Sequence, residues 1–186
     1  IDSRVYSDKG TPQVTALAGG GFVVVWGTSE QDLSGFGHYG QCYDNAGVAI
    51  GSKFVVHTYP TEDTIAIAGI SGLPGGDFVV VWSAKEQDGS GFGIYGQRFN
   101  SAGSTVGTEL QIDSNYLDSH YPVAFVTSLA DGGFVVAWDA SSLDGYRDIY
   151  GQRFNSEGAA VDTVFQINQH TAYDQSISDI ASLPDG

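Results

Sequence analysis

Short apolar runs rich in Val, Ile, Phe, Tyr and Trp alternate along the whole chain with clusters of Gly, Asp, Asn and Ser. Apolar runs bounded by turn-forming residues read as β-strands. No stretch places apolar residues at a helical period between caps, so helices are not expected.

The runs recur in a fixed order. GGGFVVVW (Gly19 to Trp26), GGDFVVVW (Gly75 to Trp82) and DGGFVVAW (Asp131 to Trp138) place tryptophans at 26, 82 and 138, two equal steps of 56. Each is followed by YGQCY or YGQRF, starting at Tyr39, Tyr95 and Tyr150. A third run precedes each tryptophan and ends at Leu17, Leu73, Leu129 and, once more, Leu183. A fourth closes each unit: KFVVH (Lys53 to His57), ELQID (Glu109 to Asp113) and VFQIN (Val164 to Asn168). The chain therefore divides into units 1–55, 56–111 and 112–166, with a partial fourth at 167–186.

Four strands per unit of about 55 residues predict an all-β fold of antiparallel four-stranded blades, a β-propeller. FVVVW is apolar on both faces and should be an inner strand of its sheet, whereas YGQRF alternates and should lie further out. ADGG and LPGGD predict tight hairpins, and NSAGS and NSEGA predict a second turn. Propellers close with about four to eight blades, so three and a fraction suggest a fragment of a longer propeller or a ring completed by several chains. The chain starts at Ile1 and has no methionine, which fits a processed product or a piece of something longer.

Charge narrows the function. There are 22 acids against 7 bases, a net charge of −15. Such a balance argues against a phosphate-binding nucleic-acid partner and electrostatic docking on anionic membranes, and it fits a protein kept in solution by self-repulsion or one that binds cations. No apolar stretch is long enough to insert in a membrane. The single cysteine, Cys42, rules out an intrachain disulfide and reads as an inert thiol rather than a nucleophile.

The pattern GGFVVVW…QDGSGxGIYGQRFNxxG…VGxExQI resembles tandem repeats of very large secreted bacterial proteins, often ones that also carry RTX-type calcium repeats. The resemblance covers essentially the whole chain and is specific for the repeat. It implies a propeller-like module, exported, acting at the cell surface or in the medium, with adhesive or calcium-associated roles. It transfers no catalytic residue. The first unit departs from the pattern at Leu33 and Cys42, and the third at DGYRD.

Candidate chemistry gathers in the loop after each tryptophan. Asp32, Asp88 and Asp144 stand six residues beyond Trp26, Trp82 and Trp138. With Ser90 and Asp148, and with Glu30 and Glu86 nearby, they offer the oxygens and the glycine turn that calcium favours. A full calcium loop of alternating acids is missing, and the simpler alternative is a turn whose Asp caps its own amides. A second recurring acid, Asp8, Asp63, Asp118 and Asp174, stands before each first strand. It reads as a strand cap or as a link to the neighbouring blade's loop.

Phe36, Phe92 and Tyr146, in the glycine-rich loop, are the exposed aromatics expected to meet a glycan. Trp26, Trp82 and Trp138 end doubly apolar strands and are expected in the core instead. Gln41, Gln97 and Gln152 are expected to satisfy backbone groups, and Arg98 and Arg153 to pair with one of the recurring acids or to bind ligand. The four histidines fall at non-equivalent positions, and no hydrolase or zinc motif is present, so no enzymatic activity is expected. The leading expectation is a secreted adhesion or glycan-binding module with calcium at its loops. The alternative is a structural subunit of a larger ring, sheath or filament, through self-association or further repeats.

Overall fold

The structure is a computed structural model that describes residues 12–29, 36–58, 65–85, 87, 89, 91–116, 123–141 and 145–183. Among the described residues, twelve strands form three four-stranded antiparallel sheets, one per sequence unit. The first sheet holds β1 (Gln13–Ala16), β2 (Phe22–Ser29), β3 (Phe36–Tyr43) and β4 (Ala49–Val55). The second holds β5 (Ile65–Gly72), β6 (Phe78–Lys85), β7 (Phe92–Phe99) and β8 (Thr105–Tyr116). The third holds β9 (Ala124–Ser128), β10 (Phe134–Ser141), β11 (Arg147–Phe154) and β12 (Ala160–Gln166). Each sheet follows chain order, so strands that neighbour within a sheet are joined as hairpins. No helix is present among the described residues.

The FVVVW strands lie second in their sheets, flanked on both edges, and β6 is buried from Phe78 to Ala84. The hairpins expected from composition are formed. Leu17, Leu73 and Leu129 close theirs by accepting from Gly20, Gly76 and Gly132. In the second set of turns the side chains of Asp44, Asn100 and Asn155 each accept from the backbone amides two and four residues on. Such Asx turns are why Asn and Asp recur there.

One irregularity repeats in all three sheets. The register between third and fourth strands shifts at Gly40/Cys42, Gly96/Arg98 and Gly151/Arg153. The residue inside each bulge is the recurring glutamine. Its Nε2 donates to two backbone carbonyls, one on each strand beside the bulge: Gln41 to Cys42 and Ile50, Gln97 to Arg98 and Val106, and Gln152 to Arg153 and Val161. The backbone role expected of these glutamines is what they perform.

The first strands of the three sheets lie next to one another, and Gly72 donates to Thr15 Oγ1 at 3.2 Å between β5 and β1. The sheets pack face to face through two seams. At the first seam Val23, Val25, Cys42 and Val56 meet Phe78, Val80, Trp82 and Phe99. At the second, Val79, Val81, Ile94 and Ile112 meet Phe134, Val136, Trp138 and Phe154. The tryptophans are thus core residues, as expected from their doubly apolar strands. A Cβ at Gly40 would collide with the Phe54 ring, so glycine in YGQ lets Phe54 lie across β3 into the seam. There its ring centroid is 5.0 Å from Phe99 and 5.8 Å from Phe78.

The partial fourth unit forms no strand among its described residues, and DIASL (Asp179 to Leu183) remains irregular.

Candidate glycan-binding site

The described functional candidates concentrate at the loop end of the third sheet. Asp148 is the second residue of β11 and lies opposite Ala140 of β10. Beyond β12 the chain turns back along the end of β11. Ile167 donates to the Ile149 carbonyl at 2.7 Å, and Asn168 Oδ1 accepts from the Ile149 amide at 2.8 Å. Asn168 Nδ2 donates to Asp148 Oδ1 at 2.7 Å and to the His170 carbonyl at 2.8 Å. Further on, Arg147 donates its amide to Asp174 Oδ1 at 3.1 Å, and Gln175 donates to the Arg147 carbonyl at 2.7 Å. Both backbone groups of Arg147 are thereby held by the returning segment.

This return places Tyr173 against Tyr146. Their ring centroids are 5.9 Å apart and the planes cross at 63°, an edge-on pair. Tyr146 is 41% exposed and Tyr173 is 72% exposed. Tyr173 has φ of 70°, the left-handed region that side chains other than glycine, Asn and Asp rarely occupy. Asp174 and Gln175, bonded to Arg147, hold it there.

Asp139, buried in β10, supports the same loop. Its Oδ1 accepts from the Val123 amide at 3.0 Å and its Oδ2 lies 3.6 Å from Arg147 Nη1.

Of the sequence-derived candidates, Tyr146 is exposed as expected, whereas Phe92 is not: it is 5% exposed and part of the second seam. The cause is strand register. Phe92 pairs with Lys85, the place that Arg147 takes opposite Ser141 in the third sheet. The third loop is one residue shorter (Trp138 to Tyr150 against Trp82 to Tyr95), so Tyr146 corresponds to Gly91 and sits outside the strand. Phe36 begins β3, and its side chain lies outside the described residues.

Asp32, Asp88, Ser90 and Asp144 also lie outside the described residues. Asp148 is buried, with Oδ1 bonded to Asn168 as above. Among the described residues no group of three or more His, Cys, Asp or Glu is placed to hold a metal. In the second loop Gln87 bridges Trp82 Nε1, at 3.4 Å, and Glu109, whose carboxyl is pushed up by burial against the pull of that bond.

Asp174 reaches the neighbouring loop through the Arg147 amide, the second of the two roles expected for it; Asp8, Asp63 and Asp118 lie outside the described residues. Arg98 and Arg153 pair with acids of the first hairpin, Asp77 at 3.3 Å and Asp131 at 2.6 Å, not with the two recurring series. The Asp131 carboxyl is held below its usual range by the Gly133 amide and by Arg153. Cys42 is buried, and burial pushes its thiol up to about 11, which leaves it protonated at neutral pH.

Sequence reading missed Tyr173. A signal was present: a tyrosine stands one to four places before each recurring acid, at Tyr6, Tyr59, Tyr116 and Tyr173.

No family model matches the chain, and no curated protein matches it. Among solved structures it is similar to a Hadza microbial sialidase, Hz136, with a TM-score of 0.59 and 11% identity over 86% of this chain and 37% of that one. It is similar to an endo-arabinase from Bacteroides thetaiotaomicron VPI-5482, with a TM-score of 0.51 and 16% identity over 85% of this chain and 61% of that one. A fucose lectin from Kordia zhangzhouensis, in complex with methyl-fucoside, aligns at a TM-score of 0.47 and 12% identity over 87% of this chain and 99% of that one. The chain thus spans well under half of the sialidase and under two thirds of the arabinase. At these identities the first two likenesses are likenesses of fold, and with the sheet order they make this chain three antiparallel four-stranded blades of the β-propeller type.

Proposed function

We propose that this chain is a non-catalytic β-propeller module that binds glycan, in an adhesive role, on a secreted or cell-surface bacterial protein. The observation that carries the reading is the Tyr146–Tyr173 pair, two exposed rings held at a loop on a rigid sheet. Aromatic faces take the apolar face of a sugar ring, and a crossed pair offers both a floor and a wall. The sialidase and the endo-arabinase, proteins named for acting on sugars, support sugar binding on this fold. Asp139 and Asp148 are buried and engaged by Val123, Arg147 and Asn168, which favours binding over hydrolysis by a free carboxylate pair. Calcium ordering the acidic loops at Asp32, Asp88, Ser90 and Asp144 belongs to the same proposal, and the net charge of −15 favours it.

A glycan array probed with and without chelator tests the reading. Binding should occur and should weaken about tenfold or more in Tyr146→Ala and Tyr173→Ala, whose rings are exposed and whose loss should leave melting unchanged. An array silent in both conditions would reject it. The alternative, a structural subunit of a larger ring, sheath or filament, is favoured by a different observation: Phe165 and Ile167 remain exposed on the outer face of the third sheet.

A further inference from the structure

Both seams between sheets use the same pair of faces. The leading faces of the second and third sheets carry stacked rings, Phe78 on Phe99 at 5.3 Å and 15°, and Phe134 on Phe154 at 4.9 Å and 10°. The trailing face of the preceding sheet meets each pair with an apolar residue of its fourth strand, Phe54 at the first seam and Leu110 at the second. Phe165 is the next in that series. It stands opposite Gly151 on β12 as Phe54 stands opposite Gly40 on β4. Phe165 is 48% exposed, and Ile167, equivalent to the buried Val56 and Ile112, is 45% exposed. At the far end of this face Arg147, paired with Asp139, takes the place that Phe92 fills in the second sheet.

The first sheet carries the matching leading face. Phe22 stacks on Tyr43 at 5.0 Å and 15°, the geometry of the two pairs already seated in seams, and both rings are half-buried. Beside them Trp26 is buried, and its Nε1 has no acceptor among the described residues. The other two indoles have one: Trp82 donates to Gln87, and Trp138 donates across the second seam to Asp113 Oδ2 at 2.8 Å. Asn168 occupies in VFQIN the position that Asp113 holds in ELQID.

We infer that a second copy of this chain docks head to tail on the first, with Phe165 of each copy wedged against Phe22 and Tyr43 of the other. Asn168 then stands where Asp113 stands at the second seam, within reach of Trp26. The inference deepens the assembly reading and is independent of glycan binding. Each copy brings three sheets, so two bring six, inside the range of about four to eight at which propellers close. The two junctions are equivalent by a twofold axis, and a head-to-tail contact that closes gives a ring rather than a filament.

Sedimentation of the full 186-residue chain over a rising concentration series tests this. The expected mass is twice 19.6 kDa. Phe165→Asp and Phe22→Asp should each return it to one chain, with the far-ultraviolet spectrum of the sheets retained. Mixing the two variants should restore pairing, more weakly, because one copy keeps an intact head and the other an intact tail. A single-chain mass at every concentration would overturn assembly altogether. A dimer that survives Phe165→Asp would overturn this junction while leaving assembly standing. Folded variants that stay apart on mixing would overturn the head-to-tail arrangement.

Discussion

His38 Nδ1 lies 3.0 Å from His57 Nε2, and the His57 ring in turn lies 5.7 Å from Trp82 of the next sheet. Both histidines are buried at the end of the first seam. Burial first, and the neighbouring His57 second, lower the pKa of His38 to about 3. An unfolded histidine takes up its proton near pH 6.5, so acid favours the unfolded chain. The contribution is fully present above about pH 7 and is lost as pH falls below 6.5, at a rate of order 1 kcal/mol per pH unit. In His38→Ile, which installs the residue found at Ile94 and Ile149, melting temperature should fall less between about pH 7.5 and about pH 5. Equal slopes in the two proteins would show that the pair does not govern acid stability.

Trp138 and Asp113 join the second and third sheets by a hydrogen bond from a fully buried indole. Asp113→Ala leaves that N–H without its acceptor and should cost about 1–3 kcal/mol. Asp113→Asn, which installs the residue present at Asn168, should restore most of the loss. Urea midpoints of the three proteins measure both effects, and a midpoint unchanged in Asp113→Ala would mean that water replaces the carboxylate.

Gln97 is buried inside a bulge and donates to the carbonyls of Arg98 and Val106. Gln97→Leu keeps the volume and removes the donor, depriving both carbonyls of that bond, and should cost about 2 kcal/mol. Gln41, which is only half-buried, does the same work where water can substitute, so Gln41→Leu should cost less. Chemical denaturation that ranks the two in the opposite order would count against the bulge account.

Calcium at the acidic loops predicts a melting temperature several degrees higher in excess calcium than in chelator, because a ligand held only by the folded state stabilises it. Asp88→Ala should reproduce the chelator's effect and abolish the response of its own loop. Melting curves that superimpose in calcium and chelator would leave the loops as capped turns.

The blades were legible because each signal repeats. Trp26, Trp82 and Trp138 set the period, IYGQRFN recurs letter for letter, and Asn or Asp marks every second turn. The site was legible only in part, because it depends on single-residue offsets and distant contacts. Phe92 and Tyr146 look equivalent in a glycine-rich loop, yet one missing residue moves Tyr146 outside the strand and leaves Arg147 in its place. Arg98 and Arg153 share an identical local sequence, but their partners Asp77 and Asp131 occupy different places in the hairpin. Tyr173 meets Tyr146 only because Asp174 and Gln175 fasten to Arg147, a contact that no local pattern encodes.

The last residue of each closing run, His57, Asp113 and Asn168, changes while the backbone around it repeats. Each seam therefore carries its own chemical address, a titratable ring pair at the first and an acceptor for an indole at the second, and a neutral amide stands beyond the third sheet. Acid should accordingly part the sheets in order, releasing the first sheet while the second and third stay joined.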